Sequence, residues 1–157
     1  MDNNELTSLV NADFIFINET ASDRYCLLER FSKKLYEKGY IHESFCNSII
    51  EREKNFPTGL PTDGIKVAIP HTYSEHVINP IIVFISLKDS ITFKEMGNGI
   101  NDIDVDLVFI LAINQPEQQL NTLQKFMNIF SKKEILQKLK DCTNKKEVLE
   151  IFKNEKI

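Results

Sequence analysis

The sequence predicts a layered α/β protein whose central β-sheet is mixed. Two runs in the middle of the chain, Ile81–Leu87 and Leu107–Ile113, are nearly unbroken apolar, as in strands buried on both faces of a sheet. Helical patterns precede and follow these runs along the chain, which is the arrangement of a sheet covered by helices. The connection after Leu87 looks too short for a helix, so we expect the strands to be not all parallel.

The first third of the chain predicts one strand and one helix. The segment Asp13–Ile17, DFIFI, is short and rich in aromatic and β-branched residues, as strands are. Thr20 or Ser22 is a candidate cap for a helix that runs to about Lys38, and Gly39 is a typical helix stop. The apolar positions of this helix recur at i, i+3 and i+7: Leu28, Phe31 and Leu35.

A second helix and three strands are predicted next. The helix runs from Glu43 to about Glu53 and ends at Pro57 at the latest, because the residue before a proline is forced out of helical geometry. The strands are expected at Ile65–Ile69, Ile81–Leu87 and Asp106–Ile113. The glycines of MGNGIND, which lies between the last two strands, indicate a turn.

The C-terminal third predicts three helices. Pro116 and Glu117 suit the first turn of the first one. Its apolar stripe, which we expect to form the buried face, is Leu120, Leu123, Met127 and Phe130. Two shorter helices are marked by the apolar groups Ile135, Leu136 and Leu139, and then Val148, Leu149 and Phe152.

Length, charge and cysteine content exclude several classes of protein. A chain of 157 residues fits one domain, residues 1–157, with a core large enough to fold without disulfides or metals. A net charge of −4 argues against a nucleic-acid partner, which requires a basic face. No apolar run approaches the roughly 20 residues of a membrane span, so we expect no membrane insertion. The three widely spaced cysteines fit a reducing compartment, and we predict a cytoplasmic protein.

Among the three histidines, His71 has the most informative sequence context. It directly follows Pro70, which ends the preceding strand and leaves the histidine at an edge or in a loop with a defined direction. The alternative is a polar strand-end residue that is merely hydrogen-bonded to the backbone. His71 and His76 are five residues apart and no CxxC pair is present, so the spacing predicts no metal site.

The chain lacks the motifs of several common enzymes. It has no G-x-S-x-G, no Walker A and no G-x-G-x-x-G segment. A neutral histidine that attacks phosphorus is the chemistry that remains. Arg52 is a candidate donor to phosphoryl oxygens, and its alternative is a solvated helix charge, with or without a glutamate partner next to it. Thr58 offers a hydroxyl after Pro57, and its alternative is a plain turn.

Four segments taken together resemble a known family. They are REKNFPTGL (Arg52–Leu60), GIKVAIPHT (Gly64–Thr72), FKEMGNGINDIDVDLVFILAI (Phe93–Ile113) and EQQLNTLQKFMNIF (Glu117–Phe130). In this order and spacing they resemble the enzyme IIA domain of the fructose–mannitol type in the bacterial phosphoenolpyruvate-dependent sugar phosphotransferase system. The resemblance extends from about Leu27 to Phe152.

The resemblance implies a phosphotransferase that works through a phosphohistidine and needs no cofactor. Its histidine, His71 here, accepts a phosphoryl group at Nε2 from the carrier protein HPr and passes it to a sugar-specific IIB component. The arginine of the REK segment, Arg52, supports the phosphoryl site. The implied fold is a three-layer α/β/α sandwich with a mixed sheet. Because two proteins must dock at one histidine, we expect an apolar rim that includes Leu60, Ile69 and Tyr73.

One departure from the fructose–mannitol pattern bears on the sugar. Those members carry a second histidine where this chain reads NQPEQQLNTL, so Gln118 or Gln119 takes its place, and we assign the phosphoryl donor to Gln119. A glutamine amide still donates a hydrogen bond but carries no charge. With this glutamine and the PTGL and IPHT segments, the chain is more similar to galactitol-type IIA proteins. The IIB partner of those proteins carries the phosphoryl group on cysteine.

Two other functions remain open from the sequence. One is a regulatory IIA protein of the nitrogen-related branch, which signals by its phosphorylation state. The other is a small hydrolase that uses His71 as a general base.

Overall fold

The computed structural model of the chain describes residues 5–155 and has a five-stranded mixed sheet at its centre. The strands are β1 (Val10–Glu19), β2 (Gly59–Leu60), β3 (Val67–Ala68), β4 (Ile81–Lys94) and β5 (Asp102–Ala112). Their order across the sheet is β1-β4-β5-β3-β2. The β1–β4 and β3–β5 pairs are parallel, whereas β4–β5 and β2–β3 are antiparallel, which confirms the predicted mixed sheet. Residues 1–4, 156 and 157 of the predicted domain lie outside the described residues.

Helices cover both faces of this sheet, so the three-layer α/β/α prediction is confirmed. They are α1 (Glu5–Leu9), α2 (Arg24–Glu37), α3 (Phe45–Asn55), α4 (Pro116–Phe130), α5 (Lys133–Asp141) and α6 (Lys145–Asn154). A single turn of 3₁₀ helix spans Ser74–His76. Among the described helices none combines the length and the apolar character needed to cross a membrane.

The two central strands contribute side chains to two separate cores. Successive side chains of a strand point to opposite faces, so Val83 of β4 packs with α2 and α3, while Phe84 packs with α4, α5 and α6. The ring of Phe109 in β5 lies 5.4 Å from that of Phe84 and 5.1 Å from that of Phe126 in α4. The unbroken apolar runs of the sequence therefore reflect burial on both faces, as predicted.

Helix α2 begins at Arg24, which is later than either of the expected caps allows. Asp23, and neither Thr20 nor Ser22, is the N-cap of α2, because its carboxylate accepts the backbone N–H of Cys26 at 2.8 Å. The helix ends as predicted. Gly39 has φ +80°, a left-handed conformation that glycine adopts without strain.

The central hairpin is longer than its apolar runs indicate. β4 continues beyond Leu87 to Lys94 after a register irregularity between Ser86 and Ile91, and β5 begins at Asp102. The turn predicted from the MGNGIND glycines joins them, and its Met96 N–H donates to the carbonyl of Gly59 at 2.8 Å. The hairpin tip is thereby attached to β2.

The predicted buried stripe of α4 is partly wrong. The side chains buried against the sheet are Thr122, Phe126, Ile129 and Phe130, whereas Leu120 is 57% exposed and Met127 is 46% exposed. The core-facing side is rotated by roughly 95° from the apolar stripe, since each residue advances about 100° around a helix. The apolar sector of α4 is wider than its contact with the sheet, and its second edge faces the loop that carries His71.

We predict that Gly59→Ala destabilises the fold by about 2 kcal/mol. An added Cβ would lie 2.6 Å from the backbone carbonyl oxygen of Lys94, an atom that cannot rotate away. Urea denaturation measures the change in the free energy of unfolding. Gly97→Ala is the matched control, because its added Cβ meets nothing within 4 Å. Equal stability of the two variants would contradict the close approach.

Candidate functional site

A cavity of about 500 Å³ lies beside His71 and is assembled from four parts of the chain. Its wall includes Arg52 at the end of α3, Thr58 before β2, Asn98 in the hairpin tip and Leu123 in α4. These residues are far apart in sequence, and the sheet and its two helical layers bring them together. The cavity is therefore a product of tertiary structure around the loop that the IPHT segment forms.

The imidazole of His71 is held in one tautomer. Its Nδ1 lies 2.7 Å from the carbonyl oxygen of Ile69, and a carbonyl only accepts hydrogen bonds, so Nδ1 carries the proton. In the neutral ring the lone pair then belongs to Nε2. No hydrogen-bond partner of Nε2 is found within residues 5–155. The hydrogen bond to the backbone that the alternative interpretation of His71 assumed is thus present, and it leaves Nε2 free to react.

The surroundings of His71 favour its neutral form. Burial lowers the pKa of the imidazole, and the positive charge of Arg52 lowers it further, while the hydrogen bond to Ile69 acts in the opposite direction. The net pKa lies below its usual value of 6.5. The ring is therefore neutral at pH 7, which a nucleophile requires.

Arg52 is held by aromatic rings and not by a carboxylate. Its guanidinium carbon lies 4.4 Å from the ring centre of Phe56 and 5.1 Å from that of Tyr73, and Nη1 donates to the Tyr73 hydroxyl at 3.0 Å. No ion pair to Arg52 is present in the described part of the chain. Its positive charge is therefore not neutralised, and it faces the cavity that His71 lines.

Thr58 lies in the cavity wall, but both of its donors already have a partner. Its N–H donates to Glu53 Oε1 at 2.9 Å, and its hydroxyl lies 3.1 Å from Oε1 and 2.9 Å from Oε2 of the same carboxyl. Donation from Thr58 to a phosphoryl group requires the hydroxyl to exchange this partner, so that role stays a prediction.

Glu53 is a residue that the sequence interpretation did not assign to the site. Its side chain is almost completely buried, and this burial raises the pKa of the carboxyl to about 7, against the hydrogen bonds from Thr58. A signal was present in the sequence: Phe45, Ile49 and Glu53 share one face of α3 at intervals of four. An acid that continues an apolar face indicates a buried polar contact.

In the described part of the chain it is Gln119, and not Gln118, whose side chain is hydrogen-bonded to the loop after His71. Its Nε2 donates to the carbonyl of Thr72 at 3.2 Å, and the side chain is half-buried. Thr72 is buried as well, and its hydroxyl is hydrogen-bonded to the hydroxyl of Ser48 in α3. The loop is thus fixed on both sides of His71, by Ile69 before it and by Thr72 after it.

The apolar rim of the site differs from the expected one. Leu60 and Ile69 are buried in the core and were wrong choices, because both belong to the sheet region, whereas Tyr73 is 55% exposed as predicted. The exposed apolar side chains that line the cavity are Phe56, Met96 and Met127. Groups of three histidine, cysteine or acidic side chains that would hold a metal do not occur in residues 5–155.

The sequence matches the family model described as phosphoenolpyruvate-dependent sugar phosphotransferase system, EIIA 2, over residues 8–155. It is 28% identical over 115 residues to the galactitol-specific EIIA component of Escherichia coli K12, a match that covers 73% of this chain and 76% of that protein.

Two solved structures are similar to this fold. The nitrogen regulatory protein IIA-Ntr from Neisseria meningitidis is 26% identical with a TM-score of 0.76, and the match covers 92% of this chain and 97% of that one. The IIA mannitol enzyme of Escherichia coli, solved in complex with phosphorylated IIB, is 23% identical with a TM-score of 0.74, covering 92% and 96%. The second likeness concerns the fold alone.

The family model spans nearly the whole chain and includes every residue of the site. The predicted resemblance is confirmed: the chain belongs to the type 2 EIIA family of the phosphoenolpyruvate-dependent sugar phosphotransferase system and is a phosphotransferase that acts through a phosphohistidine.

Proposed function

We propose that this chain is a phosphocarrier in which His71 accepts a phosphoryl group from phospho-HPr and passes it to the IIB component of a sugar transporter. The observation that carries the proposal is the fixed tautomer of His71. The Ile69 carbonyl accepts a hydrogen bond from Nδ1–H, so the lone pair of Nε2 is the free nucleophile, and it lies beside Arg52, which forms no ion pair within residues 5–155. The proposed location of the protein is the cytoplasm, where it would meet HPr.

The first half-reaction forms one P–N bond and breaks another. The lone pair of His71 Nε2 attacks the phosphorus of the HPr phosphohistidine, and the HPr imidazole leaves with the electron pair of its own P–N bond. The His71 ring becomes positively charged as Nε2 bonds to phosphorus. The Ile69 carbonyl dipole, 2.7 Å from Nδ1, stabilises that charge without removing the proton. In the second half-reaction an IIB nucleophile takes the phosphoryl group and the ring returns to neutral.

Arg52 stabilises the transferring group. A phosphoryl transition state spreads negative charge over three oxygens, and a planar guanidinium binds two of them at once. Stacking between Phe56 and Tyr73 fixes the plane of the fork before the partner arrives. The amide of Gln119 has a second N–H besides the one that Thr72 accepts, and we assign it to a phosphoryl oxygen of phospho-His71.

Galactitol or a related sugar is the proposed cargo of the pathway. Two observations support it: the 28% identity to a protein named as galactitol-specific EIIA, and the glutamine at position 119. The IIB acceptor would then be a cysteine thiolate. The alternative is a regulatory role, supported by the 26% identity to IIA-Ntr, in which the phosphohistidine acts as a signal and is not passed to a sugar.

We expect His71→Ala to abolish labelling of the chain by phosphoenolpyruvate, enzyme I and HPr without loss of folding. Wild-type protein should gain an acid-labile, base-stable label, as a phosphohistidine does. His42→Ala, at an exposed position outside the cavity, is the matched control and should be labelled like wild type. A labelled His71→Ala variant would exclude His71 as the acceptor.

Two replacements of Arg52 test separately how its charge and its planar shape contribute to phosphoryl transfer. Arg52→Lys keeps the charge but loses the planar fork, so transfer from phospho-HPr should slow by about tenfold or more. Arg52→Gln also removes the charge, so the pKa of His71 should rise, as an NMR titration of the imidazole would measure. Arg30→Lys, in a surface ion pair with Glu19, is the control. Unchanged transfer in Arg52→Lys would remove Arg52 from the phosphoryl site.

Onward transfer decides between the two proposed roles. Phosphorylated protein mixed with a galactitol-type IIB component should lose its label to a cysteine of IIB, while a mannitol-type IIB serves as the specificity control. Label that passes to neither IIB, although His71 is phosphorylated, would favour the regulatory alternative.

A further inference from the structure

We propose that Glu53 is a positioning residue for His71, which it reaches through Thr58 and the peptide of Ile69. The inference rests on the proposed function, because it concerns the acceptor state of His71. It adds to the site a buried carboxyl group whose hydrogen bonds, among the described residues, go to Thr58 and not to the side chain of His71 or Arg52.

A continuous series of hydrogen bonds joins Glu53 to the imidazole. The carboxyl of Glu53 accepts the N–H and the hydroxyl of Thr58. The carbonyl of Thr58 in turn accepts the N–H of Ile69 at 3.3 Å, and the carbonyl of Ile69 accepts Nδ1–H of His71 at 2.7 Å. Both polar groups of the Ile69 residue are therefore engaged, one by Thr58 and the other by the catalytic ring.

The placement of Glu53 argues for a dedicated contact. The residue extends the apolar face of α3 formed by Phe45 and Ile49, where an apolar side chain would avoid the free-energy cost of burying a carboxyl group. The carboxyl satisfies both donors of Thr58, which are buried with it. Arg24 of α2 is the charged side chain of another described element that acts on Glu53. Glu53 thus has Thr58 as its hydrogen-bonding partner, and no ion pair of Glu53 is found within residues 5–155.

The consequence for His71 concerns its tautomer. A neutral imidazole keeps its proton on whichever nitrogen has the better acceptor, so the Nδ1–H form depends on the position of the Ile69 carbonyl. If the Thr58 loop shifts, the backbone of Ile69 loses one of its two hydrogen bonds, the one from its N–H to the Thr58 carbonyl. The Nε2–H tautomer then gains population, and in that form Nε2 has no lone pair with which to attack phosphorus.

The test compares Glu53→Met, which has no comparable acceptor, with Glu53→Gln, which keeps one for the Thr58 N–H. Glu51→Met, on the exposed side of α3, is the matched control. Two readouts are needed: the single-turnover rate of transfer from phospho-HPr, and the His71 tautomer from ¹⁵N NMR of the unphosphorylated protein. We expect Glu53→Met to slow transfer by roughly tenfold or more and to raise the Nε2–H fraction. Glu53→Gln and Glu51→Met should stay within about threefold of wild type.

Thr58→Val supports the test should Glu53→Met fail to fold. It removes the hydroxyl and keeps the shape of the side chain, so it breaks the hydroxyl contacts with Glu53 and should change both readouts in the same direction. A folded Glu53→Met with the wild-type tautomer and rate would overturn the proposal, as would a Glu53→Gln variant as slow as Glu53→Met. A wild-type protein that accepts no label would refute the proposed function instead, while the NMR comparison would still decide the role of Glu53.

Discussion

The hydrogen bond from His71 Nδ1 to the carbonyl of Ile69 is the contact on which the site depends. A backbone carbonyl has no proton to donate, so it determines the tautomer without ambiguity. It also belongs to a fully buried residue that Pro70 holds in an extended conformation. The buried backbone of Ile69 therefore decides which ring nitrogen of His71 is free. Only that nitrogen, Nε2, has to be open to the cavity, so the ring can be half-buried.

The arginine of the site is stabilised in a way that keeps its charge available. A carboxylate partner would neutralise Arg52, whereas the rings of Phe56 and Tyr73 hold its plane and leave the charge facing the cavity. Burial lowers the pKa of His71, and the same charge lowers it further, which favours the neutral ring. Both rings are also exposed, so the side chains that hold the arginine present apolar surface for a docking protein close to the proposed phosphoryl position.

The sheet explains how such distant segments meet. β3 lies beside β5, and the residue after Pro70 continues this parallel pairing through a bridge between His71 and Leu111. The tip of the β4–β5 hairpin is attached to Gly59, and α4 follows β5 directly, so three walls of the cavity are fixed to the same central strands. A rigid scaffold of this kind positions catalytic groups more accurately than mobile loops do.

The sequence by itself determined the strands with unbroken apolar runs, the mixed sheet, the helix stop at Gly39 and the place of His71 directly after the proline that follows β3. These features depend on local preference and on periodicity, which a single sequence contains. The tertiary structure alone decided which edge of the α4 apolar sector faces the sheet, which of two adjacent glutamines contacts the His71 loop, and that Thr58 donates to Glu53. Each of these outcomes depends on a partner remote in sequence, because a side chain's burial and hydrogen bonds are set by what packs against it and not by its neighbours along the chain.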